Sequence, residues 1–471
     1  MKNYLSQALG LAILVLLMIT GLSLVPESFP IGDFRLRKMD IFADVRSDRP
    51  AATPEPEIAP DSLQYAPEDT VALAIADSAE TLHPAPFPAK DSASFGKMIE
   101  DYTFDQQGLG RLFEAVDSVR YGRAVRVAWY GDSFVEGDIL IGDMRDSLQS
   151  AWGGNGVGFV PVTSEVARFK RTITHNFSGW DSYSIVKKNG AHPPFGIDGH
   201  AYRPHADARI RYDGLKYFKH TQQWSKTRLF YTDSAANAVF YRLNGSPGEL
   251  RQLPASGGAV RQLELDQPGV NTAEFQFTDP SGLVVYGTSL EDGPGFYIDN
   301  FSVRGNSGGP LKLMRPEFIR QFDNYRKYDL VIIQVGLNAV TNSLTNIKWY
   351  QAELDRTFDH LRDCFPGKPV LVISVGDRAG KSGDELATMR GVPAIVSMQR
   401  DLARKHGFLF YDLFRGMGGP GSIIELANHR PMLANKDYTH LTHEGGRVIG
   451  CMFARLFLDE QAKWKAAKRE M

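Results

Sequence analysis

The chain has 471 residues and a formal net charge of −2, enough length for a large core and for more than one folded unit, since single domains hold about 100 to 200 residues. Its 53 Lys and Arg against 55 Asp and Glu supply no basic field, which excludes nucleic acid as the expected partner. Cys364 and Cys451 are the only cysteines; they are too few for a disulfide framework and lack metal-ligand spacing, so they read as buried thiols.

From Leu5 to Val25 the chain is apolar and uncharged, and about 20 such residues suffice to cross a bilayer as a helix. Gly21-Leu22-Ser23 is a poor signal-peptidase site, so residues 1–28 are expected to be an uncleaved anchor in the inner membrane. Lys2 lies on one side of this segment and Arg35, Arg37 and Lys38 on the other, which leaves orientation undecided by charge. A single span at the N-terminus ahead of a long tether is the layout of an anchored, exported enzyme. Residues 29–95 are read as that tether, being rich in Pro, Ala and acidic residues, as in Asp48 to Pro56, a composition that cannot bury enough apolar area to fold.

The pattern then becomes strand, turn, helix. Val125 to Tyr130 is a short apolar run, followed by Ile139, Ile141, Met144, Leu148 and Trp152 at near-helical spacing. Leu330 to Val335 and Val370 to Val375 are continuous Val/Ile/Leu runs expected of parallel strands buried on both faces, and Phe408 to Leu413 reads as a further strand. Helices are predicted at Ile347 to Cys364, at Pro393 to Lys405 and after His443. Alternation of this kind implies an α/β fold with a parallel sheet between helices. Residues 96–158 and 295–471 are assigned to it.

Residues 159–294 differ. Short alternating runs at Ala238 to Leu243, Ala273 to Phe277 and Leu283 to Tyr286, with turn clusters at Asn244-Gly245-Ser246-Pro247 and Asp279-Pro280-Ser281-Gly282, predict an inserted β-sandwich. Trp180, Tyr183, Trp224 and Tyr231 are candidates to stack on sugars or to fill its core. His175, His192, His200, His205, His406 and His429 show no ligand spacing, so no metal or cofactor is expected.

The residues that carry chemistry lie at the ends of the α/β strands, where open sheets bind ligands. Gly131-Asp132-Ser133 ends the first run, and a helix N-terminus behind it would present N–H groups to an oxyanion; taken alone, Asp132 or Ser133 serves equally as a helix cap. Gly336-Leu337-Asn338 ends another strand and places an amide on the same edge. Phe301 to Gly308 leads into small residues, where the N–H of Gly308, with Gly305 in reserve, can complete an oxyanion hole. Asp437 and His440, at i and i+3, can share one face of a helical turn, so that the carboxylate orients an imidazole that activates Ser133. Asp377 and Arg378 follow a strand and could contact a sugar or form a surface ion pair.

Together, Gly131-Asp132-Ser133, Gly308, Gly336-Leu337-Asn338 and Asp437-Tyr438-Thr439-His440 resemble the four signatures of the SGNH/GDSL hydrolase family, over roughly residues 120–160 and 295–460. The long β-rich insertion, Gly153 to Phe159 and the closing Asp437 to Leu441 resemble the bacterial peptidoglycan and polysaccharide O-acetylesterases, whose inserted module resembles a carbohydrate-binding domain. The resemblance implies a flavodoxin-like sheet. It makes Ser133 the nucleophile, His440 the base and Asp437 its partner, with the Ser133 backbone, Gly308 and Asn338 forming the oxyanion hole. Phe134 replaces the Leu of the Gly-Asp-Ser-Leu form and Ala339 stands where lipolytic members carry an acid, which weakens a lipase reading. The function so implied is a membrane-anchored esterase on the periplasmic or extracellular face of a bacterium, acting on an envelope glycan. Two alternatives stay open: an O-acetyltransferase using the same residues with a membrane acyl-donor protein, and a glycan-binding protein without activity.

Overall fold

In the computed structural model, residues 28–31, 34–37 and 99–470 are described, apart from 189, 344–346 and 383–384. Ser28–Ile31 pairs antiparallel with Phe34–Arg37, so the segment read as tether contains a short pair of strands. The apolar segment expected to be a membrane anchor lies outside the described residues. No helix among the described residues is long and apolar enough to cross a membrane, so the transmembrane helix has no structural support.

The α/β body, described by itself, is built on five parallel strands: β1 (Ala124–Gly131), β2 (Gly295–Ser302), β3 (Leu330–Gln334), β4 (Val370–Ile373) and β5 (Leu409–Tyr411). Their order is β2-β1-β3-β4-β5, and Glu100–Asp101 adds an antiparallel edge to β5. This is the doubly wound flavodoxin-like order, whose ligand crevice opens where the winding reverses, beside β1. β3 and β4 are buried throughout, as their unbroken Val, Leu and Ile runs require.

Eight helices are relevant: α1 (Gly108–Asp117), α2 (Ile141–Trp152), α3 (Pro316–Arg326), α4 (Ile347–Cys364), α5 (Gly391–His406), α6 (Leu413–Gly416), α7 (Ser422–Asn428) and α8 (His443–Glu470). α2 packs on α8, and α3, α4 and α5 pack in sequence on one another. The period of two in β1 sends Trp129 to Phe453 of α8 and Tyr130 to Phe365, just beyond α4, which fills both layers from adjacent residues.

Between β1 and β2 the chain runs through nine antiparallel strands. Glu249–Leu253, Asn237–Leu243, Thr272–Phe277, His200–Gly214 and Ile173–Ser184 form one half, and Gly158–Val160, Leu283–Glu291, Trp224–Asp233 and Arg261–Val270 the other. A single residue pair, Val285 with Tyr202, joins the halves by hydrogen bonding. Their inner faces share one apolar core, including Ile210, Tyr212, Phe275, Leu229, Tyr231 and Val285, which is the packing of a sandwich. Leu283–Glu291 is buried along its whole length because its other face meets the α/β body: Tyr286 packs edge-on against Phe318 and Phe322 of α3, and Phe230 contacts Phe322.

A buried ionic network lies beside this seam. The Arg126 guanidinium donates to Glu291 at 2.8 to 3.2 Å, and Arg326 donates to Glu291 at 2.5 Å and to Asp299 at 2.6 and 3.0 Å. Glu291 and Asp299 are fully buried. Burial raises the Glu291 pKa, but Arg126, Arg326 and Arg228 outweigh it and hold the carboxyl far below its ordinary value.

Candidate active site

β1 ends at Gly131, where a side chain would meet Val135 Cγ2 at 2.1 Å, so only glycine lets the chain double back and lift Ser133 out of the strand line. The helix α2 does not begin there. A one-turn 3-10 segment, Glu136–Asp138, intervenes, with Gly137 at φ 70° and Asp138 at φ 61°. The cause is Asp138, whose buried carboxylate takes hydrogen bonds from Thr172 at 2.7 Å and Asn300 at 2.8 Å and pairs with Arg145 at 3.4 Å. The expected donation from the α2 N-terminus is thus replaced by an irregular turn.

Ser133 Oγ lies 2.8 Å from His440 Nε2, and His440 Nδ1 lies 2.6 Å from Asp437 Oδ2. The other Asp437 oxygen accepts from the backbone N–H groups of Thr439 at 3.0 Å and His440 at 3.1 Å. Burial raises the Asp437 pKa, but the His440 ring and these N–H groups reverse it, holding the carboxyl below its ordinary value. An ionised Asp437 accepts from Nδ1–H and leaves Nε2 as the basic nitrogen facing Ser133. Asp437 and His440 meet on a turn rather than on a helix: Ala434 bridges to Leu441, Asn435 N donates to His440 O at 2.8 Å, and Tyr438 sits at φ 51°. α8 starts only at His443.

Gly308 is buried at φ 99°, and its N–H donates to Asn306 Oδ1 at 2.9 Å, so the N–H expected to complete an oxyanion hole is already committed in this structure. Asn306 is itself fully buried, with no partner for its Nδ2. Asn338 sits on a 3-10 turn, Leu337–Ala339, after Gly336 at φ 119°, and is exposed. Arg378 Nη1 donates to Leu337 O at 2.8 Å and so steadies the turn that carries Asn338. Asp377 is fully buried and accepts from Thr388 Oγ1 at 2.8 Å, Ser422 Oγ at 3.3 Å and Ile423 N at 3.0 Å. Its carboxylate is therefore spent on holding α7, and burial pushes its pKa up.

Two further residues belong to the site. Asn306 holds the Gly308 amide; in the sequence it is one polar residue in a small-residue loop, with no spacing to single it out. Asp132 lies 2% exposed beneath Ser133, with Oδ1 accepting from Phe134 N at 2.9 Å. Burial raises its pKa to about 6 against the pull of the Phe134 N–H and the charge of His440.

Residues 271–448 match the GDSL-like Lipase/Acylhydrolase family. The match contains Gly308, Asn338, Asp437 and His440, and Ser133 joins them only through the fold. Residues 271–448 thus carry a GDSL-like acylhydrolase domain, and with a nucleophile–imidazole–carboxylate line on a flavodoxin-like sheet the chain is an enzyme. Among solved structures it is similar to a peptidoglycan O-acetylesterase, with 20% identity, a TM-score of 0.64 and coverage of 78% of this chain and 99% of that one; at this identity the likeness fixes the fold. A family two carbohydrate esterase from Clostridium thermocellum is also matched, at 10% identity and a TM-score of 0.24, over 60% of this chain and 96% of that one. No curated protein matches.

Proposed function

We propose that the enzyme removes O-acetyl groups from a cell-envelope glycan through an acyl-Ser133 intermediate. The observation that carries this reading is the unbroken line Ser133 Oγ, His440, Asp437 at 2.8 and 2.6 Å. Ser133 Oγ attacks the acetyl carbonyl as its proton passes to His440 Nε2, and Asp437 steadies the imidazolium. Negative charge on the carbonyl oxygen is met by the amide of Asn338 and by the N–H of Ser133, since the Gly308 N–H is taken by Asn306 Oδ1. The imidazolium then protonates the leaving sugar oxygen. Water attacks the acetyl-serine with His440 again as base, releasing acetate. The His440 and Asp437 side chains are 28% and 45% exposed, so water can reach the acetyl-serine for the second step.

The glycan and its envelope setting rest on the likeness to the peptidoglycan O-acetylesterase, and anchoring by Leu5 to Val25 rests on sequence alone. Within this proposal residues 159–294 form a separate module that helps hold the polymer, and 96–158 with 295–471 form the hydrolase. The test is acetate release from O-acetylated peptidoglycan by the full chain, its Ser133→Ala variant and its His440→Ala variant. Release by the parent and its loss in both variants are expected. Turnover in Ser133→Ala at the parent's rate, or transfer of acetyl to an added glycan in place of acetate release, overturns it.

A further inference from the structure

Where the module meets the nucleophile turn there is a cleft of about 290 Å³, lined by Glu136, Asn300 and Arg304 on one side and by Glu165, Lys170 and Lys187 on the other. It is tied to the catalytic turn: Asn300 Nδ2 donates to Val135 O at 2.9 Å, two residues beyond Ser133, and Val303 N donates to Gly131 O at 3.1 Å. Thr163, Ser182 and Ser302 add hydroxyls to its walls. The volume falls at the small end of ligand pockets, about 300 to 1,000 Å³, which suits one sugar ring rather than a folded partner.

The charges in this cleft do not cancel. Arg304 pairs with Glu136 at 2.7 Å and Lys187 with Glu165 at 2.7 Å. Lys170, half-buried in the same lining, makes no ion pair or hydrogen bond through its ammonium among the described residues. Asp138, the carboxylate that most favours its charge, is already committed to Arg145, Thr172 and Asn300. Burial lowers the Lys170 pKa, so an ammonium that has lost water gains from a counter-ion brought by a ligand.

We propose that this cleft is a subsite for a sugar that bears a carboxylate, with Lys170 as the counter-ion and the hydroxyl walls taking the ring. It deepens the glycan-esterase reading and rests on it for the choice of sugar chemistry. A carboxylate held here would anchor an acidic sugar against the residues that follow Ser133 in the nucleophile turn, selecting which residue of a polymer presents its acetyl group.

The test is binding rather than turnover. Full-length Ser133→Ala protein is titrated calorimetrically with N-acetylmuramic acid and with N-acetylglucosamine, which differ by the 3-O-lactyl ether and the carboxylate it carries. The acid is expected to bind at least tenfold tighter, with the preference shrinking as salt rises, falling to parity in Lys170→Met and surviving in Lys170→Arg. Lys170→Gln serves as a second charge-removing variant, and if neither folds, the salt-sensitive preference of the Ser133→Ala protein decides. Equal affinity for the two sugars, binding of neither, or a preference that outlives removal of the Lys170 charge overturns the proposal. Because no ester is cleaved in this experiment, its failure is separable from failure of the esterase reading, which acetate release tests.

Discussion

Asn338 projects from a turn that Arg378 holds by its backbone, and its own amide is exposed. A donor of that kind acts on the transition state more than on bound substrate. Asn338→Ala is therefore expected to lower kcat about a hundredfold to a thousandfold with KM little changed, read from steady-state kinetics on a small acetyl ester. A rise in KM at constant kcat would instead make it a binding residue. In the chain next to Ser133, burial pushes the Asp132 carboxyl up from 3.8 to about 6. Between those values the folded chain keeps a proton that the unfolded chain has released, so stability falls as pH rises through about 4 to 6 and the cost, about 3 kcal/mol, stays in full above that. Asp132→Asn is expected to match the parent at pH 4 and to exceed its unfolding free energy by about 2 to 3 kcal/mol at pH 8, as denaturant titrations at the two pH values show. At this scale the sequence was informative where a residue's neighbours in the chain define its job: Gly131 and Ser133 at a strand end, Asp437 three before His440. It was silent on Asn306 and offered Asp132 only as a helix cap, missing its burial, and it presented Asp377 as an edge group although its carboxylate is enclosed by Thr388 and Ser422.

The junction between β1, β2, α3 and the last module strand depends on charges that no local pattern announces. Arg126, Glu291, Asp299 and Arg326 come from four elements, and Arg126 and Glu291 are 165 residues apart. Removing one member leaves the remaining buried charges with fewer partners, as Glu291 without Arg326 keeps only Arg126 and Arg228. Arg326→Met is expected to cost about 3 to 5 kcal/mol, measured by guanidinium unfolding. The depressed pKa of Glu291 means the unfolded chain takes up its proton first: this stabilisation is complete above about pH 4.3 and drains away as pH falls below it. Glu291→Gln should accordingly be less stable than the parent at neutral pH and should flatten the acid limb of its stability curve. The parallel strands, by contrast, were legible because burial on both faces demands continuous Val, Leu and Ile runs, as in Leu330–Gln334. The turn that carries His440 was read as helical because i, i+3 spacing fits a helix and a tight turn equally well; the left-handed Tyr438 decides between them.

Across the whole catalytic body, the module is not a loosely hung accessory. Tyr286 and Phe230 interlock with Phe318 and Phe322 of α3, so the two cores should melt as one. Calorimetry on the parent is expected to show a single transition for this body. Phe322→Ala, which empties the seam at a cost of about 3 to 5 kcal/mol, should broaden or split it. The sequence indicated that 159–294 was β-rich, from alternation such as Asn237–Leu243. It could not indicate which face of Leu283–Glu291 was inner, since both are buried.

The insertion also sets the order in which the chain can become itself. β1 is synthesised early and finds its partner β2 only after every module strand has left the ribosome. Until then Val125 to Tyr130 offers an unsatisfied apolar edge of the kind that draws chains together. Closing so wide a loop is entropically costly while the intervening segment is loose and much less so once it has compacted. The module therefore serves assembly as a splint: it folds on its own neighbours, shortens the gap, and delivers β2 to a waiting strand. Lesions deep in its core, far from Ser133, should show themselves as insoluble protein before they alter any rate of catalysis.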